Sequence, residues 1–198
     1  MPAVSIAPPA AVAPVKPAVT GLFRANDYPN SMASRGEEGP VAMAILAAPD
    51  GRVDNCTVFL SSRYKDLDDY TCDIIKKRAK FAPVIGEDGK PAYGLYNQIV
   101  TWSLDFPKSY RLQPDLELQI NHAPPGVSLP LEFKVAYIYE PDGSIHGCRL
   151  APEEAAQPKD LVDVACQSFA EGGKEIVRNS AGQPVEAWTI STVRFTAG

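Results

Sequence analysis

The sequence predicts an α+β protein made of two tandem units, each an antiparallel β-hairpin, a helix and a final strand, with one disulfide per unit. Three observations carry this expectation. The stretch "PDGRVDNC" (residues 49–56) returns as "PDGSIHGC" (residues 141–148). Further matches follow in the same order at a nearly constant shift: Leu67, Asp69 and Cys72 lie over Leu161, Asp163 and Cys166, and Gly89, Pro91 and Trp102 over Gly182, Pro184 and Phe195. Within each copy the apolar period changes from strand-like to helix-like and back. Chance can supply one Pro-Asp-Gly; it rarely supplies turn, cysteine, helix and closing strand in one order.

Each element has its own reason. Residues 39–48, "GPVAMAILAA", and 129–140, "LPLEFKVAYIYE", read as strands. In the second, Leu131, Phe133, Val135, Tyr137 and Tyr139 share one face, with Glu132, Lys134 and Glu140 opposite. Asp-Gly then turns the chain, because glycine accepts the positive φ that hairpin turns demand. The return strands are "RVDNCTVFL" and "SIHGCRL". A helix is expected over residues 65–81. There Leu67, Tyr70, Ile74 and Phe81 combine with Cys72, Ile75 and Ala79 into a broad apolar face. Asp66, Asp68 and Asp69 open it and Lys76, Lys77, Arg78 and Lys80 close it, as the helix dipole favours. The second helix, "KDLVDVACQSFAEGG", stops at Gly172-Gly173. A turn and a last strand complete each unit. Between the copies, residues 105–127 form a linker whose alternating "LELQI" enters the second unit as an extra strand.

Bulk properties narrow the field. The 198 residues, 45% hydrophobic and 22% charged, are ordinary for a globular protein. A net charge of −5 argues against nucleic acid or anionic membrane as partner, since both select basic faces. No segment is long and apolar enough to span a bilayer. Residues 1–20 are rich in alanine and carry Pro2, Pro8, Pro9, Pro14 and Pro17, so they read as an extended spacer and not as a secretory signal. Either the protein is cytoplasmic, or a signal or membrane anchor is missing from this sequence. The units then run over residues 21–106 and 107–198.

Four cysteines permit three pairings, and the repeat selects Cys56–Cys72 and Cys148–Cys166 because duplicated units keep local geometry. Each bridge ties a return strand to the inner face of the next helix. Cys56 runs in step with Val58 and Leu60, all expected to face that helix. Such staples imply an oxidising compartment. The alternatives are four buried thiols, or a metal held by His122, His146, Cys148 and Cys166. The metal reading is weak, since no CxxC is present and the first copy has no histidine.

Residues 27–104 resemble the C-terminal domain of the TonB family of energy transducers. The matching features are Tyr28-Pro29 before a short helix, Gly36 and Gly39 ahead of a strand, the "PDGRV" hairpin, Ser61-Ser62, a helix ending "RAKFAP", and a last strand rich in β-branched and aromatic residues. The two cysteines resemble a stapled branch of that family. The second copy departs from it: it lacks the Tyr-Pro entry, has "HAPPGVSLP" before its first strand, and ends its helix in Gly-Gly. The resemblance implies a periplasmic protein of a Gram-negative cell envelope. In that family the last strand captures an extended peptide of an outer-membrane receptor by strand addition and takes part in transport. Carried onto this chain, the edge is residues 96–104, with Tyr96, Asn97, Gln98, Thr101 and Trp102 as partner contacts, and residues 188–195 as the counterpart in the second copy. Val100 and Trp102 read equally well as core.

Two functions compete: a peptide-binding envelope module, and a scaffolding envelope protein that captures no peptide. A homo-oligomer is compatible with either. An enzyme is not expected, and no cofactor is called for. His122 and His146 have no serine or carboxylate at a recurring spacing, no phosphate-binding loop or HExxH is present, and "GEEG" and "DLDD" read as solvated turns or helix starts.

Overall fold

The computed structural model describes residues 22–104 and 110–198. The Ala/Pro spacer lies outside them, as does the boundary between the two expected units. A short 3-10 turn, Ala25–Asp27, precedes α1 (Asn30–Ser34). The first half continues with β1 (Gly39–Ala47), β2 (Val53–Leu60), α2 (Lys65–Arg78), β3 (Val84–Ile85) and β4 (Pro91–Trp102). The second has β5 (Leu116–Ile120), β6 (Leu131–Tyr139), β7 (Ile145–Leu150), α3 (Lys159–Glu171) and β8 (Ala187–Ala197).

The two Pro-Asp-Gly turns are built alike. Ala48 N–H donates to Arg52 O and Gly51 N–H to Ala48 O, each at 2.8 Å; Glu140 with Ser144 and Gly143 with Glu140 repeat the pattern at the same distances. Gly51 and Gly143 sit at φ of +80° and +83°, where a side chain would be strained. Asp50 Oδ1 and Asp142 Oδ1 each accept the N–H two residues on, at 2.9 Å. Each turn then accepts a bond from the chain just past its helix: Phe81 N–H to Gly51 O at 2.9 Å, and Glu175 N–H to Gly143 O at 3.3 Å.

Both staples form as paired from the repeat, with Cα–Cα separations of 5.8 Å for Cys56–Cys72 and 5.6 Å for Cys148–Cys166. Cys148 and Cys166 are therefore not metal ligands. Helix α2 ends at Arg78, three residues short of expectation. Lys80 leaves it to bridge Arg52, and Phe81 turns down to pack against Tyr96. Leu60 corrects a second expectation. A bulge in β2 sets Leu60 opposite Ala42 while Val58 stays opposite Met43, so Leu60 flips away from α2 and is exposed. Asp68, read as a solvated helix start, is buried. Its carboxylate accepts from Ser61 Oγ at 2.6 Å and from Ser62 N–H and Oγ at 2.9 and 2.7 Å, which gives the Ser-Ser pair its purpose.

The larger correction concerns the sheet. The halves do not keep separate three-stranded sheets; they share one mixed sheet in the order β2-β1-β4-β8-β6-β7, with β3 added to β4 and β5 to β8. The join is a parallel pairing of the two final strands, residues 93–95 of β4 against 187–189 of β8. A lone three-stranded sheet would expose a row of unmet N–H and C=O groups on its final strand, and pairing the two strands satisfies part of both rows.

The helices lie on opposite faces of this sheet. Val41, Met43, Ile45, Tyr96 and Trp102 pack beneath Leu67, Ile74 and Ile75 of α2. Leu95, next to Tyr96, faces the other way. Its partner Thr189 shares a face with Val193 and Phe195, which pack beneath Leu161 and Ala165 of α3. Cross-half contacts extend beyond the join: Leu46 packs with Val177 and Ala187, Val84 with Ile138 and Trp188, and Ser180 N–H and Oγ both donate to the Asp54 carboxylate at 2.8 Å.

Candidate functional site

Strand β4 is where the halves meet and then part. Along one side it pairs with β1 for its whole outer length, residues 94–102 against 47–39. On the other side it holds β8 only as far as Leu95. Thr189 Oγ1 donates to the Leu95 carbonyl at 3.0 Å, so the Leu95 backbone points toward β8. Backbone groups alternate sides along a strand, so those of Asn97, Ile99 and Thr101 point the same way. Past Leu95, no strand among the described residues pairs with β4 on that side.

Strand β8 bends away there and takes β5 instead, residues 116–120 running parallel to 193–197. The result is a fork with β4 as one arm and β8 with β5 as the other. Residues 110–115 lie between the arms outside any strand, with Leu112 and Pro114 half-buried and Arg111, Gln113 and Asp115 exposed. A slot of about 310 Å³ separates them from Leu95, Asn97 and Ile99. At the apex Asp115 bridges the arms: Oδ1 accepts from Asn97 Nδ2 at 3.3 Å and Oδ2 from Thr192 N–H at 2.7 Å.

The five residues nominated from the sequence divide by parity. Tyr96, Gln98 and Trp102 are each about 5% exposed and lie on the α2 side. Trp102 sits among Phe23, Tyr28 and Tyr70, and its Nε1 donates to Thr71 Oγ1 at 2.9 Å. Tyr96 packs against Phe81 with tilted rings 4.6 Å apart, and burial pushes its hydroxyl pKa up to about 12. Tyr96 Oη and Gln98 Nε2 have no hydrogen-bond partner among the described residues. Asn97 and Thr101 stand on the other face, half-buried. The backbones of Asn97, Ile99 and Thr101 face this side of β4, while the buried trio lies on the α2 side of the strand.

The face of the first half that α2 does not cover floors a groove of about 1060 Å³, with Ala42, Ala44, Leu46, Leu95 and Ile99 at its base and Phe59, Leu60 and Tyr110 at its rim. The alternating alanines of "VAMAILAA" were legible as small residues on one face. Asp115, Thr189 and Thr192 were not nominated. "QPDLELQI" marks a strand entry, but nothing local tells which strands its aspartate will reach.

Among the described residues no group of three or more histidine, cysteine and acidic side chains could hold a metal. His146 Nδ1 lies 2.7 Å from Glu140 Oε1, and His122 is exposed. No described helix is long and apolar enough to cross a membrane.

Residues 24–104 match the family model described as the Gram-negative bacterial TonB protein C-terminal. That span takes in the first half from the 3-10 turn to just past β4, so the resemblance read from "YP", "PDGRV" and "RAKFAP" holds over it. No curated protein and no solved structure matches the chain.

Proposed function

We propose that this protein is a periplasmic binding module of the cell envelope that acts by holding other proteins, not by catalysis. It takes up an extended peptide segment of an outer-membrane receptor along β4, as part of energy transduction to transport. The single observation behind the reading is the open side of β4. Asn97, Ile99 and Thr101 present main-chain donors and acceptors to a gap that no strand among the described residues fills, and such an edge binds extended peptides through main-chain bonds. The family match over residues 24–104 and the two disulfides agree with an oxidising envelope compartment. The common order of hairpin, helix and strand in both halves is most simply a tandem duplication, with the second copy diverged.

The test is titration of short synthetic peptides copied from the plugs of outer-membrane transporters, followed by amide NMR. Binding should perturb the amides of Asn97, Ile99 and Thr101, and backbone N-methylation of the peptide should abolish it. Thr101→Pro removes one outward donor without touching the β1 ladder and should weaken binding about tenfold. Perturbation elsewhere, with these amides still, would move the site.

A scaffolding reading competes on one observation, the β4–β8 join, which makes the halves a single block. It expects no peptide to bind and a defined oligomer through the outer strands β2 and β7, which size-exclusion chromatography with cross-linking would reveal.

A further inference from the structure

We infer that residues 110–115 are a built-in occupant of the β4 edge, latched by Asp115, and that a partner gains the edge only when this segment leaves. The inference rests on the capture reading and adds its regulation. The segment lies in the fork along the side of β4 that an added strand would take, across the slot from Asn97 and Ile99. Its half-buried residues, Leu112 and Pro114, alternate with exposed Arg111 and Gln113, so one side of the segment faces in and the other out.

It is nevertheless no strand of the sheet. Pro114 has no N–H to give, and among the described residues no backbone hydrogen bond joins 110–115 to β4. What holds it is the apex. Leu95 occupies the β8 groups next to Thr189, and β5 begins opposite Val193, which leaves the Thr192 N–H between them without a strand. The Asp115 carboxylate takes that donor at 2.7 Å and the Asn97 amide at 3.3 Å. One exposed carboxylate therefore fastens the segment to both arms. Solvent-exposed bonds of this kind contribute little each, so the seat is filled but easily vacated. An occupant of this sort lowers apparent affinity by the fraction of molecules in which the seat is free.

The experiment uses the full chain, as Asp115→Ala and Asp115→Asn beside the parent. Trypsin cleavage after Arg111, followed by mass spectrometry, reads whether the segment is docked. Fluorescence anisotropy with the labelled plug peptides reads whether the edge is open. We expect Asp115→Ala to be cut after Arg111 about tenfold faster and to bind peptide about tenfold tighter, with Asp115→Asn between. Unchanged cleavage overturns the latch. Faster cleavage at unchanged affinity also overturns it, as a gate, and leaves strand capture standing. If cleavage rises and no peptide binds any of the three proteins, strand capture itself fails and the gate with it. Should Asp115→Ala lower the melting temperature, Leu112→Ser frees the segment from its other end, and the same two readouts decide.

Discussion

Leu95 and Thr189 are joined twice, as a parallel pair in the sheet and through Thr189 Oγ1, which donates to the Leu95 carbonyl at 3.0 Å. Much of the molecule's character follows from this contact. It merges two small sheets into one, sets α2 and α3 on opposite faces, and marks the last point at which, among the described residues, a strand pairs with β4 on that side. Everything beyond it on β4 is the candidate edge.

Each disulfide closes a short loop, with cysteines 16 and 18 positions apart. Loops of this length stabilise by roughly 3 kcal/mol, chiefly by restricting the unfolded chain. Cys56→Ser with Cys72→Ser, or Cys148→Ser with Cys166→Ser, should each lower the melting temperature by about 6–12 °C. Differential scanning calorimetry checks this, with peptide mass mapping under non-reducing conditions to verify the remaining bridge.

Two neighbours on β4 should behave oppositely. Trp102 is buried among Phe23, Tyr28 and Tyr70, so Trp102→Ala should cost about 3–5 kcal/mol in denaturant unfolding. Thr101 is half-buried on the far face, and Thr101→Ala should cost no more than about 0.5 kcal/mol. An equal loss from both would mean that the face bearing Thr101 is packed against something.

Asp27 gives the acid limb of stability a definite sign. The Arg78 guanidinium, with Nη2 donating to Oδ1 at 2.8 Å, and the Arg24 N–H hold its carboxyl down to about 2 from 3.8. A depressed carboxylate pKa stabilises the fold above the unfolded value and loses that contribution as pH falls through the folded one. The parent should therefore lose more stability than Arg78→Met on going from about pH 5 to about pH 2. Urea unfolding at a series of pH values checks it; parallel curves would rule the pair out as the cause. Asp142, also held down to about 2 by its bonds to Ser144, is present in both proteins and cancels.

The two turn glycines differ in what surrounds them. A Cβ on Gly51 would meet the Phe81 carbonyl oxygen at 2.2 Å, whereas one on Gly143 would meet Ile176 and Lys174 side-chain atoms at 3.1 Å and the Glu175 carbonyl carbon at 3.2 Å. Both substitutions carry the strain of positive φ, on the order of 1–3 kcal/mol. Gly51→Ala meets backbone about 1 Å closer than Gly143→Ala does (2.2 against 3.2 Å), so it should be clearly the more destabilising of the two in thermal melts.

Local chemistry was enough to read the pieces. Asp-Gly turns, the two-residue alternation of β6 and the charge gradient of α2 act within a few neighbours along the chain, and all are visible as letters. The repeated motif even chose the disulfide pairing, because the same turn, cysteine and helix recur in the same order. The bulge that turns Leu60 outward, the burial of Asp68 and the division of β4 into a buried trio and a half-buried pair are set by the folded chain, since each depends on which residue lies across a strand or against a helix.

The joining of β4 to β8 and the reach of Asp115 across the fork were decided only by the folded chain. Main-chain hydrogen bonds between distant strands carry no side-chain label, so nothing in "AYGLY" or "AWTIS" names the other as its neighbour. The sequence by itself determined two stapled hairpin-helix-strand units. Tertiary structure determined that they share a sheet, because two unpaired edges brought close are more stable paired than solvated apart.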